Sequence, residues 1–397
     1  MNDEELINRI RESISTNLDI SRDYSDDEIL AVIEKGVLEA SRLTMLTIQK
    51  KNLIIKTIFN SMRRLDILQP LLDDTSISEI MVNGTESIFI ERSGVITREN
   101  LNFESKDKLY NIIQSIVSKV NRTVNESSPI VDARLSDGSR VNAVLPPVAI
   151  NGPILTIRKF PEKPLMIKDL INLGSVTQEA AKFLQKAVRA RYNIFISGGT
   201  GSGKTTFLNA LSGFIPGSER IVTIEDSAEL QIIDIENIVR LETRNANVEG
   251  KGEITIRDLI KTSLRMRPDR IIVGEVRGAE AIDMLQAMNT GHEGSLSTGH
   301  ANSTMDMLSR IETMVLCGAD LPLDAIRRQI ASAINIIVHL GRVRDMSRKV
   351  LEISEVAGYR NGEYILNPLW AFDYTSGMLE KTQNELINAS KLGCISD

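Results

Sequence analysis

Ile194-Phe195-Ile196-Ser197-Gly198-Gly199-Thr200-Gly201-Ser202-Gly203-Lys204-Thr205-Thr206-Phe207-Leu208 starts as an apolar strand and ends as an apolar helix. Its middle satisfies G-x-x-x-x-G-K-[ST], in the strand-then-helix context that a phosphate-binding loop requires. Glycines let the backbone turn its amides toward phosphate oxygens, and the following helix points its positive N-terminus at the same place. Residues 198–206 are therefore expected to cradle ATP, with Lys204 on the β and γ phosphates and Thr205 on Mg2+. A plain glycine-rich turn is the alternative, and the flanking strand and helix weigh against it.

Downstream, strand and helix alternate. Apolar runs at 193–197, 221–224, 270–273 and 294–298 read as strands. Helical stripes lie at 256–266, stopped by Pro268, at 279–288, at 305–316, and at 323–334 after Pro322. Upstream, Thr177 is placed to cap a helix over 180–188. This alternation predicts an α/β domain over 177–385, built on a mainly parallel sheet covered by helices. Residues 336–340 and 350–356, around a polar turn near Asp345, read as a terminal hairpin, and 386–397 as a tail.

The rhythm differs upstream. Residues 1–64 read as a helical extension: Leu6, Ile7, Ile10 and Ile14 share one face, and Ser25 and Glu28 form a capping box ahead of Ile29, Val32, Ile33 and Val37. Residues 65–160 read as a smaller α+β domain. Strands flank the turn signals Asn83-Gly84 and Asp137-Gly138, a helix runs from Lys108 to about Asn121, and a last strand covers 154–158. Pro161, Pro164 and the stretch to Gly174 read as a linker over 161–176.

The 397 residues suit two or three domains. Subtracting 53 acidic from 47 basic residues gives −6, and aromatics make up 4%. Nucleic-acid binders show the opposite balance, so direct nucleic-acid binding is not expected. The start, Met1-Asn2-Asp3-Glu4-Glu5, lacks the apolar core of a signal peptide. No stretch of 18 apolar residues occurs, and two cysteines, Cys317 and Cys394, make neither a disulfide framework nor a zinc site. The expectation is a cytoplasmic protein that meets the membrane only through a partner.

Three further motifs carry acids or histidines. Ile221-Val222-Thr223-Ile224 ends in Glu225-Asp226, two carboxylates directly after a buried strand. Arg270-Ile271-Ile272-Val273 leads to Gly274-Glu275, a Walker B pattern with a glutamate as the acid. Glu275 is expected to act on Mg2+, partly through water, or in catalysis. Of three histidines, His292 and His300 read as two that follow a parallel strand near the phosphate loop, and His300 is placed to contact a γ-phosphate; His339, inside an apolar strand, reads as structural. Parallel strands bring their C-terminal ends to one edge, where ligands bind. Lys204, Glu225, Glu275 and His300 are therefore expected to converge on Mg·ATP.

Phosphoryl transfer often uses an added arginine. The smaller domain offers Arg134 and Arg140 around Asp137-Gly138, and these are expected to face the γ-phosphate, in cis or from a neighbouring subunit.

The order of these motifs, from Gly198–Thr206 through Thr223–Asp226, Leu264–Arg277 and Ser297–Ser303, resembles the secretion ATPase superfamily of type II and type IV secretion and type IV pili. Its nearest likeness is to the CpaF branch, which powers tight-adherence (Tad) pili; Asp132–Asn142 and Ile154–Phe160 also resemble that branch. The likeness spans about residues 65–375. It implies a homo-hexamer of RecA-like domains, with an N-terminal domain clamping each ATP. It places Glu225 at the catalytic glutamate, Glu275 at the Walker B acid, His300 at the His box, and Arg134 and Arg140 at the N-domain arginines. Gly299 stands where many relatives carry a bulkier apolar residue. The resemblance also implies a peripheral place at the inner membrane, where ATP-driven motion works on platform proteins of a pilus. Three rivals stand beside that reading: export of protein or DNA through a secretion channel, a nucleic-acid-dependent motor, and a non-hydrolysing scaffold.

Overall fold

Ser25 and Glu28 show how the sequence starts a helix. In the computed structural model, which describes residues 3–18, 22–43, 45–92, 94–120, 122–160, 163–244, 246 and 250–394, the Glu28 amide donates to Ser25 Oγ (3.2 Å) and the Ser25 amide donates to Glu28 Oε2 (2.9 Å). The expected helix end at Asn121 and the linker start at Pro161 lie outside the described residues. Helices α1 (Asp3–Asn17), α2 (Asp26–Leu43) and α3 (Ile48–Arg63) pack through Leu6, Ile10, Ile14, Ile29, Ile33, Val37, Ile54 and Ile58, all buried. Their spacing of four puts each set on one helix face.

The next elements are α4 (Gln69–Asp73), β1 (Ile77–Asn83), β2 (Ile88–Arg92), β3 (Val95–Glu99), α5 (Lys106–Ser118), β4 (Ile130–Arg134), β5 (Arg140–Val144) and β6 (Ile154–Arg158). The strands form an antiparallel sheet in the order β3-β2-β1-β6-β5-β4. Ile80 and Val82, Ile88 and Ile90, Val141 and Ala143, and Leu155 and Ile157 alternate onto one buried face, which α5 covers with Leu109, Ile113 and Ile116. Strand β3 had no sequence signal because it is an edge: Val95 and Ile96 are 62% and 60% exposed, so no alternation marks it. These helices and this sheet make one compact unit, 1–161, and residues 162–397 make another.

The stretch 161–176, expected as a linker, contains α6 (Ile167–Asn172), whose Leu170 is buried in the second unit's core together with Val176. Six residues are too few for a helical period to be read. The rest of this unit comprises α7 (Gln178–Arg189), β7 (Ile194–Gly198), α8 (Lys204–Ser212), β8 (Ile221–Glu225), β9 (Ile238–Glu242), α9 (Ile256–Ser263), β10 (Arg270–Val273), α10 (Glu280–Asn289), β11 (Leu296–Gly299), α11 (Thr304–Gly318), α12 (Leu323–Ala333), β12 (Ile336–Arg342), β13 (Arg348–Arg360), β14 (Glu363–Asp373) and β15 (Met378–Lys381).

One nine-stranded sheet runs β15-β14-β13-β12-β7-β11-β10-β8-β9. From β12 to β9 all neighbours are parallel; β13, β14 and β15 continue it antiparallel. The β12–β13 hairpin is thus not terminal. Strand β14 escaped reading because Pro368 argues against a strand and bulges near Ile353 and Val356 break the alternation of its partner. The parallel strands are buried on both sides. Ile194, Ile196 and Ile272 face a cluster with Leu184, Leu208 and Leu211; Phe195, Ile271 and Val273 face another with Ile260, Leu285 and Leu308. Each such side chain contributes roughly 1.5–3 kcal/mol on burial.

The expected tail is tied down as far as it is described. The buried carboxylate of Glu355 accepts from the amides of Ile387 (2.8 Å) and Asn388 (2.7 Å), and Tyr192 donates its hydroxyl to Asn388 O (2.6 Å).

Leu170 tests the placement of α6. Leu170→Ala is expected to destabilise the second unit by about 2–4 kcal/mol, read as a lower thermal midpoint in the full chain. Leu173→Ala, at a position 61% exposed, should change it by no more than about 0.5 kcal/mol. Equal, small effects would return the stretch to a linker.

Candidate nucleotide site

Strand β7 ends and helix α8 begins inside the glycine-rich stretch. Two glycines there have no substitute. A Cβ at Gly198 would lie 2.4 Å from Leu340 O, and Gly203, the N-cap of α8, has φ of +93°. The loop therefore turns tightly against β12 and opens into a helix whose first amides face outward.

Lys204 is 7% exposed. Its ammonium donates to Gly198 O (3.0 Å), Gly199 O (2.9 Å) and His300 Nδ1 (3.2 Å). An ammonium only donates, so Nδ1 accepts and the neutral ring carries its proton on Nε2. That nitrogen lies 2.8 Å from Glu275 Oε1, close but off the line of a hydrogen bond, so the oxygen keeps no aligned donor. Burial holds His300 below the usual histidine range, with Lys204, Arg277 and Arg310 adding to the effect and Glu275 opposing it. Arg277 donates to Glu275 Oε2 (2.7 Å) and to Asp226 Oδ2 (3.3 Å), and the Glu275 bond raises its pKa. The expected convergence of Lys204, His300 and Glu275 is thus a chain of contacts, extended by Arg277 to Asp226.

Glu225 lies beside the Glu275 segment. It is 4% exposed and packs against Gly274, where a Cβ would lie 2.9 Å from Glu225 Cγ. Its Oε2 accepts from the amides of Glu229 (2.7 Å) and Leu230 (2.9 Å), so this carboxylate anchors the loop after β8. The expectation that two histidines follow one strand also changes. His300 follows β11, whereas His292 precedes it and sits at the strand's other end. Gly299 is small for a packing reason: a Cβ there would meet Met307 Cε and Phe195 Cε1, both at 2.9 Å. Arg134 and Arg140 are cross-strand partners on the β4–β5 hairpin of the first unit. There Arg134 Nε donates to Gly138 O (3.2 Å) and the guanidinium lies 5.9 Å from the Phe160 ring centre.

The donors fit Mg·ATP. Backbone amides at a helix start, a buried ammonium and Ser202 Oγ, which is buried and has no partner among the described residues, suit phosphate oxygens. Among the described residues no cluster of three acids, histidines or cysteines suits a metal. Magnesium bound with a nucleotide ordinarily takes phosphate oxygens and water with only one or two protein oxygens, so the lack of such a cluster does not conflict with a nucleotide site.

His339 lies beneath the loop and does more than fill space. Its Nδ1 is 2.7 Å from Ser197 Oγ, in the strand that leads into the loop. Burial lowers its pKa, opposed by Glu352 and by a backbone bond to Asn302, two residues past His300. With its pKa lowered, His339 is a neutral ring that shares a hydrogen bond with Ser197. A histidine whose folded pKa is lowered loses stability as pH falls below its unfolded value, about 6.5. The midpoint difference between the wild type and His339→Gln should therefore shrink between pH 7.5 and 5.5. A difference that stays constant with pH would contradict a neutral ring.

A family model described as type II/IV secretion system protein matches residues 62–379. The chain is 37% identical over 294 residues to a putative conjugal transfer protein of Mycobacterium tuberculosis, spanning 72% of this chain and 83% of that one. It is 34% identical over 305 residues to the conjugal transfer protein TrbB of Rhizobium radiobacter, spanning 75% and 90%. Among solved structures, the ATPase DotB of Legionella pneumophila shares the fold, with a TM-score of 0.52 at 22% identity over 73% of this chain and 79% of that one. A RecA-like domain carrying a complete phosphate loop, matched along most of its length in this way, is a P-loop ATPase, and the chain belongs to the type II/IV secretion system protein family.

Proposed function

We propose that this chain is a Mg2+-dependent motor that hydrolyses ATP to ADP and phosphate at residues 198–206. In this reading it powers assembly of a tight-adherence pilus from the cytoplasmic face of the inner membrane. The observation that carries the chemistry is the line Lys204–His300–Glu275, held within 3.2 Å and 2.8 Å contacts beside the loop. Mg2+, when bound, would offset charge on the β and γ phosphates. Lys204 exchanges its loop carbonyls for phosphate oxygens, and Thr205 and Glu275 orient the metal and its water. The neutral His300 ring, with Lys204 on Nδ1 and Glu275 beside Nε2, links the two groups so that it senses the γ-phosphate, and Arg277 fixes the Glu275 carboxylate. Glu225, whose Oε2 is held by the amides of the loop after β8, acts as the catalytic glutamate. Arg134 and Arg140 supply the added positive charge, from the same or a neighbouring subunit of a hexamer.

The likeness of 132–142 and 154–160 to the CpaF branch supports the pilus. The relatives named for conjugal transfer favour a second reading equally: the same engine exporting DNA or protein through a type IV secretion channel. In either reading the chain works with membrane platform proteins; no helix among the described residues is long and apolar enough to cross a membrane.

Lys204→Ala is expected to abolish phosphate release, and Glu275→Gln to lower kcat about 10²–10⁴-fold with the fold intact. Arg134→Ala and Arg140→Ala together should cost about 10³-fold if they reach the γ-phosphate. Steady-state phosphate release measures all three, and full turnover by the Lys204 variant would sink the site. Deleting the gene and scoring surface pili against DNA or protein export separates the two cellular roles.

A further inference from the structure

The β12–β13 hairpin brings two arginines onto the phosphate loop. Arg342 ends β12, Arg348 starts β13, and they are cross-strand partners. Arg342 Nε donates to Gly201 O at 3.2 Å and Arg348 Nε donates to the same oxygen at 3.0 Å. The hairpin is fixed to the root of the loop it reaches, because β12 runs parallel to β7 with Leu340 beside Gly198. Its turn is also fixed: Asp345 Oδ1 accepts from the Ser347 amide (2.9 Å), and the Val343 and Ser347 backbones bond at 3.0 Å.

Two features mark this pair as more than a brace. First, among the described residues neither guanidinium pairs with a carboxylate; Asp345, the acid between them in sequence, is used by the turn. Two like charges converging on a single carbonyl oxygen repel each other, an arrangement that an added polyanion turns favourable. Second, each spends only Nε on the loop, and a guanidinium has five donors in a planar fork suited to phosphate. Their placement follows the loop. A Cβ at Gly201 would lie 2.5 Å from Arg342 Nη2, and one at Gly203 would lie 3.5 Å from Arg348 Cδ.

We propose that Arg342 and Arg348 are nucleotide-positioning residues, which hold the loop by Gly201 O and present their Nη groups to the phosphate chain of the bound nucleotide. The inference rests on reading residues 198–206 as the nucleotide site. It places part of the cationic charge around ATP on the ATPase unit's own hairpin, in addition to any arginine from the smaller domain.

The test uses the full chain. In Arg342→Gln with Arg348→Gln, the affinity for ADP and ATP is expected to fall about tenfold or more, with KM for ATP rising in step and kcat within about threefold of the wild type. The corresponding lysine pair keeps the charge without the fork and is expected to recover part of the ADP affinity. ADP affinity and KM equal to the wild type in the glutamine pair overturn the proposal, as does a lysine pair that recovers nothing. If the double variant unfolds, each single glutamine variant leaves one hold on Gly201 and is expected to lose part of the ADP affinity; no loss in either overturns the proposal. A wild-type chain that binds no ADP would instead remove the underlying site, a result distinct from failure of the arginine role alone.

Discussion

Ser197 lies beside Gly299 across the parallel β7–β11 pair, and Ser297 lies beside Val273 across β11–β10. The phosphate loop, the His300 loop and the Glu275 loop begin within two residues of these pairs. Segments far apart in sequence therefore leave the sheet at one edge, and the contacts of Lys204 with His300 and of His300 with Glu275 follow from that register. A slip of one residue would turn each strand's side chains to the opposite face. It would exchange Phe195 and Ile196 between the two buried clusters, so the packing on both faces enforces the register that the site needs. Gly299 shows how tightly the pair is closed, with Phe195 and Met307 occupying the space a side chain would take.

Charge at this edge is arranged in layers. Deepest are groups with fixed partners: Glu225 on two amides, and His339 between Ser197 and the Asn302 backbone. Burying such groups without partners would be costly, so their bonds hold the loops they touch. Above them lie Lys204, His300, Glu275 and Arg277, whose contacts join one motif to the next. At this level Ser202 Oγ and Glu275 Oε1 keep no aligned partner. The outermost layer is the pair Arg342 and Arg348, exposed on the rim of the loop.

Most of this site was legible along the chain, because a phosphate loop needs specific residues at fixed spacing and parallel strands announce themselves as short apolar runs. The contacts that join Lys204, His300 and Glu275 follow the spacing and strand order visible in the sequence. The same reasoning grouped Glu225 with them; sequence marks a carboxylate after a strand, and the fold packs it on Gly274, one residue before Glu275. It placed His292 with His300, because four residues of strand separate the two ends of β11 and the apolar run hides where the strand starts.

By itself the sequence determined the helical start, the small α+β domain, the parallel sheet and the phosphate loop, since each has a local period or a fixed motif. Only the tertiary structure decided what depends on neighbours. Helix α6 is too short to show a period, and the core that buries Leu170 gives it meaning. Edge strand β3 and bulged β14 carry no clean alternation, and pairing alone makes them strands. His339, Arg342 and Arg348 lie more than 130 residues from the strand end and loop residues they touch, so their contacts exist only because β12 lies beside β7.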